Sequence, residues 1–375
     1  MLLVALALRA SAGPAVSAPA RTPARAPAVV LIDAESGQVL REQDADSPRP
    51  QGSLNQLMLL LLSLEQAGLG ALPLDVPITV SQTAVTAAAA SGLRVPLRPD
   101  RAYLLSDLLK AVTIATANDA AAAVAEAIAG SLPACIELMN ARAERLGMTA
   151  TRYGSIGNIK GAADIADTTT ARDLARLAQA VLHHRPVLEW ASVSGVPFDD
   201  GAVLLRNSNQ LIGTLPGADG LQISTWRDAR IGSYSIVATA QRENLRLIAV
   251  VLDAPDTATR YGTAAELLEW GFAQYQRIDV VRKGDPINLP ILVLHGTVPQ
   301  LTPIAGQAFS MLRRRGEERD LQLRCQLPAA LAAPVRRQQP LGEIVIEERG
   351  TLLGVIPLLS PSAVPSNSVL SAALH

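Results

Sequence analysis

An α+β domain followed by a small all-β domain is what this sequence predicts, on three observations. Helical patterns between about residues 53 and 183 are framed by strand patterns, a hairpin before them and three consecutive strands after them. Beyond about Arg277, short apolar runs alternate with Gly and Pro turns, the texture of a separate β domain. A chain of 375 residues, 49% hydrophobic and 18% charged, is globular and long enough to bury two cores.

The elements follow in order. Val29 to Ile32 and Gln38 to Arg41 flank the turn-like stretch Asp33-Ala34-Glu35-Ser36-Gly37 and read as a hairpin. Ser53 to Ala67 is apolar on all sides and ends at Gly68, a helix buried in the core with Ser53 at its N-terminal end. Ser106 to Thr113 begins with a good capping residue, and Asp119 to Ala129 stops at Gly130. Leu132 to Leu146 has Pro133 in its first turn and Gly147 past its end, and Thr170 to His183 ends before Pro186. Leu221 to Thr225, Ser233 to Ala240 and Leu245 to Leu252 read as antiparallel strands, and Thr263 to Gln274 as a closing helix. The later runs Ile287 to Leu294, Leu321 to Cys325, Glu343 to Ile346 and Leu352 to Ile356 supply the β domain.

The ends read as non-domain segments. Met1-Leu2-Leu3-Val4-Ala5-Leu6-Ala7-Leu8 is a short apolar run followed by Ala10-Ser11-Ala12, a cleavage pattern, so residues 1–27 are expected to be a signal peptide and flexible leader of an exported, periplasmic or otherwise extracytoplasmic protein. An uncleaved anchor is the alternative, for which the run is too short to span a bilayer. Domains are expected at 28–277 and 278–364, with a tail at 365–375 that lacks the basic residues of an amphipathic membrane anchor.

Composition excludes several function classes. A formal net charge of −1 gives no electrostatic footprint for nucleic acid or an anionic membrane surface. Cys135 and Cys325 fall in different expected domains and are read as free and buried. His183, His184, His295 and His375 have no metal-site spacing, so neither metal nor cofactor is expected, and His183 and His184 are assigned to a helix C-terminus. Arginine carries nearly all the positive charge, because Lys110, Lys160 and Lys283 are the only lysines.

A serine at the start of a buried helix is by itself most often an N-cap. Here the surrounding stretches matter more. They are Val30-Leu31-Ile32-Asp33 with Ser36-Gly37-Gln38-Val39-Leu40, Gly52-Ser53-Leu54-Asn55-Gln56-Leu57-Met58, Ala117-Asn118-Asp119-Ala120 and Thr170-Ala171-Arg172-Asp173-Leu174-Ala175. Asp219-Gly220-Leu221, Arg246-Leu247-Ile248-Ala249-Val250-Val251-Leu252 and Trp270-Gly271-Phe272 follow, then Ala333-Pro334 and Gln339-Pro340-Leu341-Gly342. In order and spacing these resemble the serine D-Ala-D-Ala carboxypeptidases, the low-molecular-mass penicillin-binding proteins. The resemblance implies a penicillin-binding, transpeptidase-like α+β domain, an antiparallel sheet with a helical insertion, followed by a small all-β domain. It also implies the motifs S-x-x-K, S-x-N and K-T-G.

The chemistry of those motifs explains what is altered here. In S-x-x-K the serine attacks a carbonyl and the lysine one helical turn on handles its proton. The corresponding residues are Ser53-Leu54-Asn55-Gln56, which keep the nucleophile position and replace the base by a neutral amide. S-x-N reads Thr116-Ala117-Asn118, retaining a hydroxyl and the amide. K-T-G reads Gln222-Ile223-Ser224, which loses the cation, the hydroxyl and the bare glycine that serve a substrate carboxylate. Arg227 is the one substitute cation nearby, able to bind a carboxylate but not to act as a base.

Loss of a general base costs about two to four powers of ten in rate, and loss of a cation at developing charge a further factor of about a hundred. The resemblance therefore implies a cell-wall protein, impaired or inactive in catalysis, whose partner is a peptidoglycan stem peptide or another cell-wall protein. A weakly active acyl hydrolase using Ser53, and a scaffold acting through the β domain, are the alternatives. Ser53, Gln56, Asn118 and Gln222 are expected to converge in one cleft between the helices and the sheet edge.

Overall fold

The computed structural model describes residues 26–89, 93–161, 166–227, 232–317 and 320–367, and the side chains of 222–232 lie outside that description. The expected signal peptide within residues 1–25, and the end of the tail with His375, also lie outside the described residues. The hairpin of β1 (Ala28–Asp33) and β2 (Val39–Gln43) forms as expected. It joins β3 (Ala218–Arg227), β4 (Gly232–Arg242) and β5 (Leu245–Ala254) in one antiparallel sheet of order β3-β4-β5-β1-β2. The first strand therefore lies between β5 and β2, with Val30 opposite Val250 and Ile32 opposite Ile248.

Strand alternation divides the apolar residues between two cores. Val30, Ile32, Ile248, Val250 and Leu252 face the helical block, while Val29, Leu31, Leu247, Ala249 and Val251 face the last helix of the domain. The block comprises α1 (Gln56–Gly68), α2 (Gln82–Ala88), α3 (Leu105–Ala115), α4 (Asn118–Ala129), α5 (Leu132–Arg145), α6 (Ala171–Leu182) and α7 (Arg185–Ala191). The opposite face is covered by α8 (Thr257–Gln274), capped by Asp256 and packed so closely that a Cβ on Gly271 would lie 2.6 Å from Leu247. Eight consecutive residues of α4 are buried, Asn118 to Val124 and Ala125, because alanines let its neighbours approach from every side.

Several local expectations change. The second long helix starts at Leu105 after an uncapped Leu104, so Ser106 lies inside it and is not its N-cap. His183 closes α6 with its ring Nδ1 2.8 Å from Gln179 O, but His184 is the residue before α7, a helix that Pro186 opens rather than blocks. Both cysteines are free, yet only Cys135 is buried; Cys325 lies at a sheet edge and is half exposed.

The chain then enters an all-β region. Tyr275–Val281 pairs with Phe309–Arg314, so the expected boundary at 277/278 falls inside a strand. Leu321–Gln326, Pro340–Glu348 and Thr351–Leu359 form most of a four-stranded sheet whose inner face carries Ile344, Ile346, Ile356 and Leu358.

Candidate functional site

The site is built where a tight turn, a helix junction and a sheet edge meet. Gly52, at φ 51°, enters a 3-10 turn over Gly52–Asn55, and only at Gln56 does the α-helix begin. Ser53 therefore sits within that turn rather than at the head of a continuous helix. No side chain caps it; the Leu54 amide donates to Gln51 O at 3.1 Å and the Gln56 amide turns back to Ser53 O and Leu54 O.

The second part comes from the α3–α4 junction. Thr116 ends α3 in the left-handed region, φ 55° and ψ 39°, a conformation uncommon for a β-branched residue. The amides of Thr116 and Ala117 return to Val112 O and Ala111 O, so the chain reverses in two residues and begins α4 at Asn118. Thr116 Oγ1 lies 3.1 Å from Ser208 Oγ, whose hydroxyl in turn donates to Ile114 O. Ser208 was not found from the sequence; its only signal is the polar triplet Asn207-Ser208-Asn209 between apolar stretches.

Gln56 and Asn118 meet. Gln56 Nε2 donates to Asn118 Oδ1 at 2.8 Å, and both residues are fully buried. Asn118 Nδ2 has no hydrogen-bond partner among the described residues. Gln222, Ile223, Ser224 and Arg227 lie on β3, the edge strand, opposite Val237, Ile236, Ser235 and Gly232, and β3 packs against the 3-10 turn. Where their side chains point lies outside the described residues.

A segment the sequence reading overlooked lies directly on this pair. Gly157, at φ 58°, approaches so closely that a Cβ there would overlap Asn118 Oδ1 and come within 2.8 Å of Gln56 Nε2. Asn55 holds it: the Gly157 amide donates to Asn55 Oδ1 at 2.7 Å, and Asn55 Nδ2 faces Gly157 O at 3.2 Å, Ser155 O at 3.0 Å and Ser155 Oγ at 3.1 Å. Ser155 Oγ also donates to Asp167, whose carboxylate accepts the Gly154 and Ser155 amides. Burial pushes the Asp167 carboxyl up from its ordinary value, against those hydrogen bonds. Ser53, Asn55, Gln56 and Asn118 form a buried cluster.

Asp119, next to Asn118, accepts the Val95 and Ala120 amides, and burial raises its carboxyl as well. Lys110 pairs with Asp107 at 2.9 Å on α3, Lys160 lies on the strand Ile159–Lys160, and Lys283 is exposed in a turn. Among the described residues no group of three or more His, Cys, Asp or Glu is arranged to hold a metal ion.

A family model described as D-alanyl-D-alanine carboxypeptidase matches residues 15–256. The chain belongs to the D-alanyl-D-alanine carboxypeptidase family. A second model, described as the C-terminal domain of penicillin-binding protein 5, matches residues 275–366. The D-alanyl-D-alanine carboxypeptidase DacC of Escherichia coli is 30% identical over 335 residues, covering 88% of this chain and 82% of that protein. DacF of Bacillus subtilis is 26% identical over 340 residues, covering 89% and 84%. The fold is shared with a peptidoglycan synthesis regulatory factor, PBP3, from Streptococcus pneumoniae, at a TM-score of 0.73 and 21% identity over 90% of this chain and 99% of that one.

For a carboxypeptidase of this family the first motif needs a group that takes the serine proton. Gln56 offers an amide that donates a hydrogen bond to Asn118 but takes no proton at ordinary pH.

Proposed function

We propose that this chain is an exported, catalytically silent member of the carboxypeptidase family that acts at peptidoglycan by holding a stem peptide or a cell-wall protein rather than by cleaving it. In this reading residues 28–277 carry the former catalytic site, residues 278–364 the β domain, and residues 1–27 are the signal peptide and leader. The observation that carries it is the 2.8 Å hydrogen bond from Gln56 Nε2 to Asn118 Oδ1. An amide in the base position donates to the asparagine oxygen and takes no proton from Ser53. Gln222-Ile223-Ser224 on the edge strand adds neither a cation nor a bare glycine for a substrate carboxylate.

Penicillin tests this, because acylation requires an activated serine and binding does not. Intact-mass measurement of the protein after incubation with excess penicillin is expected to show the unmodified mass. A penicilloyl increment mapped to Ser53 overturns the proposal.

A further inference from the structure

The segment Ser155–Asn158 is bound by the protein as a peptide would be. Its central residue offers a backbone N–H and C=O, and Asn55 meets both with one side-chain amide, at 2.7 and 3.2 Å. Asn55 also donates to the Ser155 carbonyl at 3.0 Å, so its amide spans three peptide units of the segment. Beneath it lie Gln56 and Asn118, in contact with Gly157 so close that no side chain fits between. One end of the segment is tied down through Ser155 Oγ and the Gly154 and Ser155 amides to Asp167. The cluster under it keeps one buried donor, Asn118 Nδ2, without a partner among the described residues, the kind of group a peptide carbonyl satisfies.

We propose that Asn55 fastens Ser155–Asn158 as a strap over the Gln56–Asn118 pair, so that the protein's own backbone covers these two amides and a peptide reaches them only when the Asn55–Gly157 contacts open. The proposal rests on the reading of this site as a binding site and adds how access to it is controlled. Asn55 acts through the strap and is a positioning residue.

Access can be measured without any enzymatic activity. Ser53→Cys, made together with Cys325→Ser, places a thiol in the buried turn that Asn55 ties to the strap; Cys135 stays silent because burial pushes its thiol up to about 12. Labelling by a small thiol reagent is expected to be slow in this protein and about tenfold or more faster when Asn55→Ala is added, since several hydrogen bonds to the strap are lost. Equal rates in the two overturn the strap. Hydrogen exchange on the unmodified protein is the second measurement, independent of whether Asn55→Ala folds. The Gly157 amide is expected to be protected by Asn55 Oδ1, and exchange at the rate of an open chain overturns the proposal. The two readings fail separately: acylation of Ser53 by penicillin refutes catalytic silence without touching the labelling rates, and a freely open strap leaves catalytic silence standing.

Discussion

At the joint between the two domains Arg277 donates to Asp33 Oδ2 at 2.6 Å and faces Glu35 at 2.9 Å; beneath the strap Gln56, Asn118, Asn55 and Gly157 meet amide to amide. Asp33 at 0% and Arg277 at 8% exposure are buried, like the residues under the strap, whereas Glu35 is exposed. Both side chains at the joint have further partners: Asp33 Oδ2 also accepts the Ser36 amide and hydroxyl, and Arg277 reaches Ser310. This fold therefore tolerates a buried ion when its partners are in place. The amides at Gln56 and Asn118 are therefore a feature of that cluster and not a requirement of burial in this fold.

The joint should be the more sensitive of the two. Arg277→Ala leaves Asp33 buried and unpaired, and chemical denaturation is expected to show a loss of about 3–5 kcal/mol. A loss below about 1 kcal/mol would mean that water already reaches Asp33, and the contrast with the amide cluster would disappear.

Under the strap the cost is steric. Gly157→Ala puts a methyl group against Asn118 Oδ1 in a left-handed backbone position, which is expected to destabilise by about 1–3 kcal/mol in the same measurement. An unchanged midpoint would show that the strap sits off the amide pair in solution.

Much of this was legible beforehand, for identifiable reasons. The three strands of residues 218–254 and the hairpin announce themselves by alternation and turn residues, and Gly130 and Gly147 mark helix ends by the conformations only glycine accepts easily. Helix period placed Gln56 on the side of Ser53, and its meeting with Asn118 was what the family resemblance implied. The strap did not. Asn55, Ser155, Gly157 and Asp167 are about 100 residues apart across the two sides of the contact, and nothing in Ser155-Ile156-Gly157 distinguishes it from any polar turn. Ser106 misled because a serine before an apolar run looks like a cap, whereas packing of Leu105 starts the helix one residue earlier.

The smallest expected effect is a slope, and it sharpens the electrostatic side of the contrast. Burial raises the Asp167 carboxyl above its ordinary 3.8, so the folded protein holds that proton more tightly than the unfolded chain. The stability this contributes is complete below about pH 3.8 and is lost as pH rises through the folded value. Asp167→Asn removes this contribution, and the melting temperature of the unmodified protein minus that of the variant is expected to fall as pH is raised from about 3.8 toward neutrality. A flat difference across that window would show that the Asp167 carboxylate is as well solvated as in water.

The position of β1 in the middle of the sheet carries a consequence for how the chain is made. Ala28–Asp33 is made before the other strands of its sheet, but one of its two neighbours is Leu245–Ala254, whose residues are among the last of the domain to be synthesised. Until then the strand has only its hairpin partner β2, and a lone hairpin is marginal in water. The sheet closes over a loop of more than 200 residues, a non-local pairing of the kind that makes folding slow. Arg277 arrives later still, so Asp33 waits through nearly the whole synthesis of the first domain for the cation that neutralises it. The two ends of that domain are tied together only after everything between them has been made.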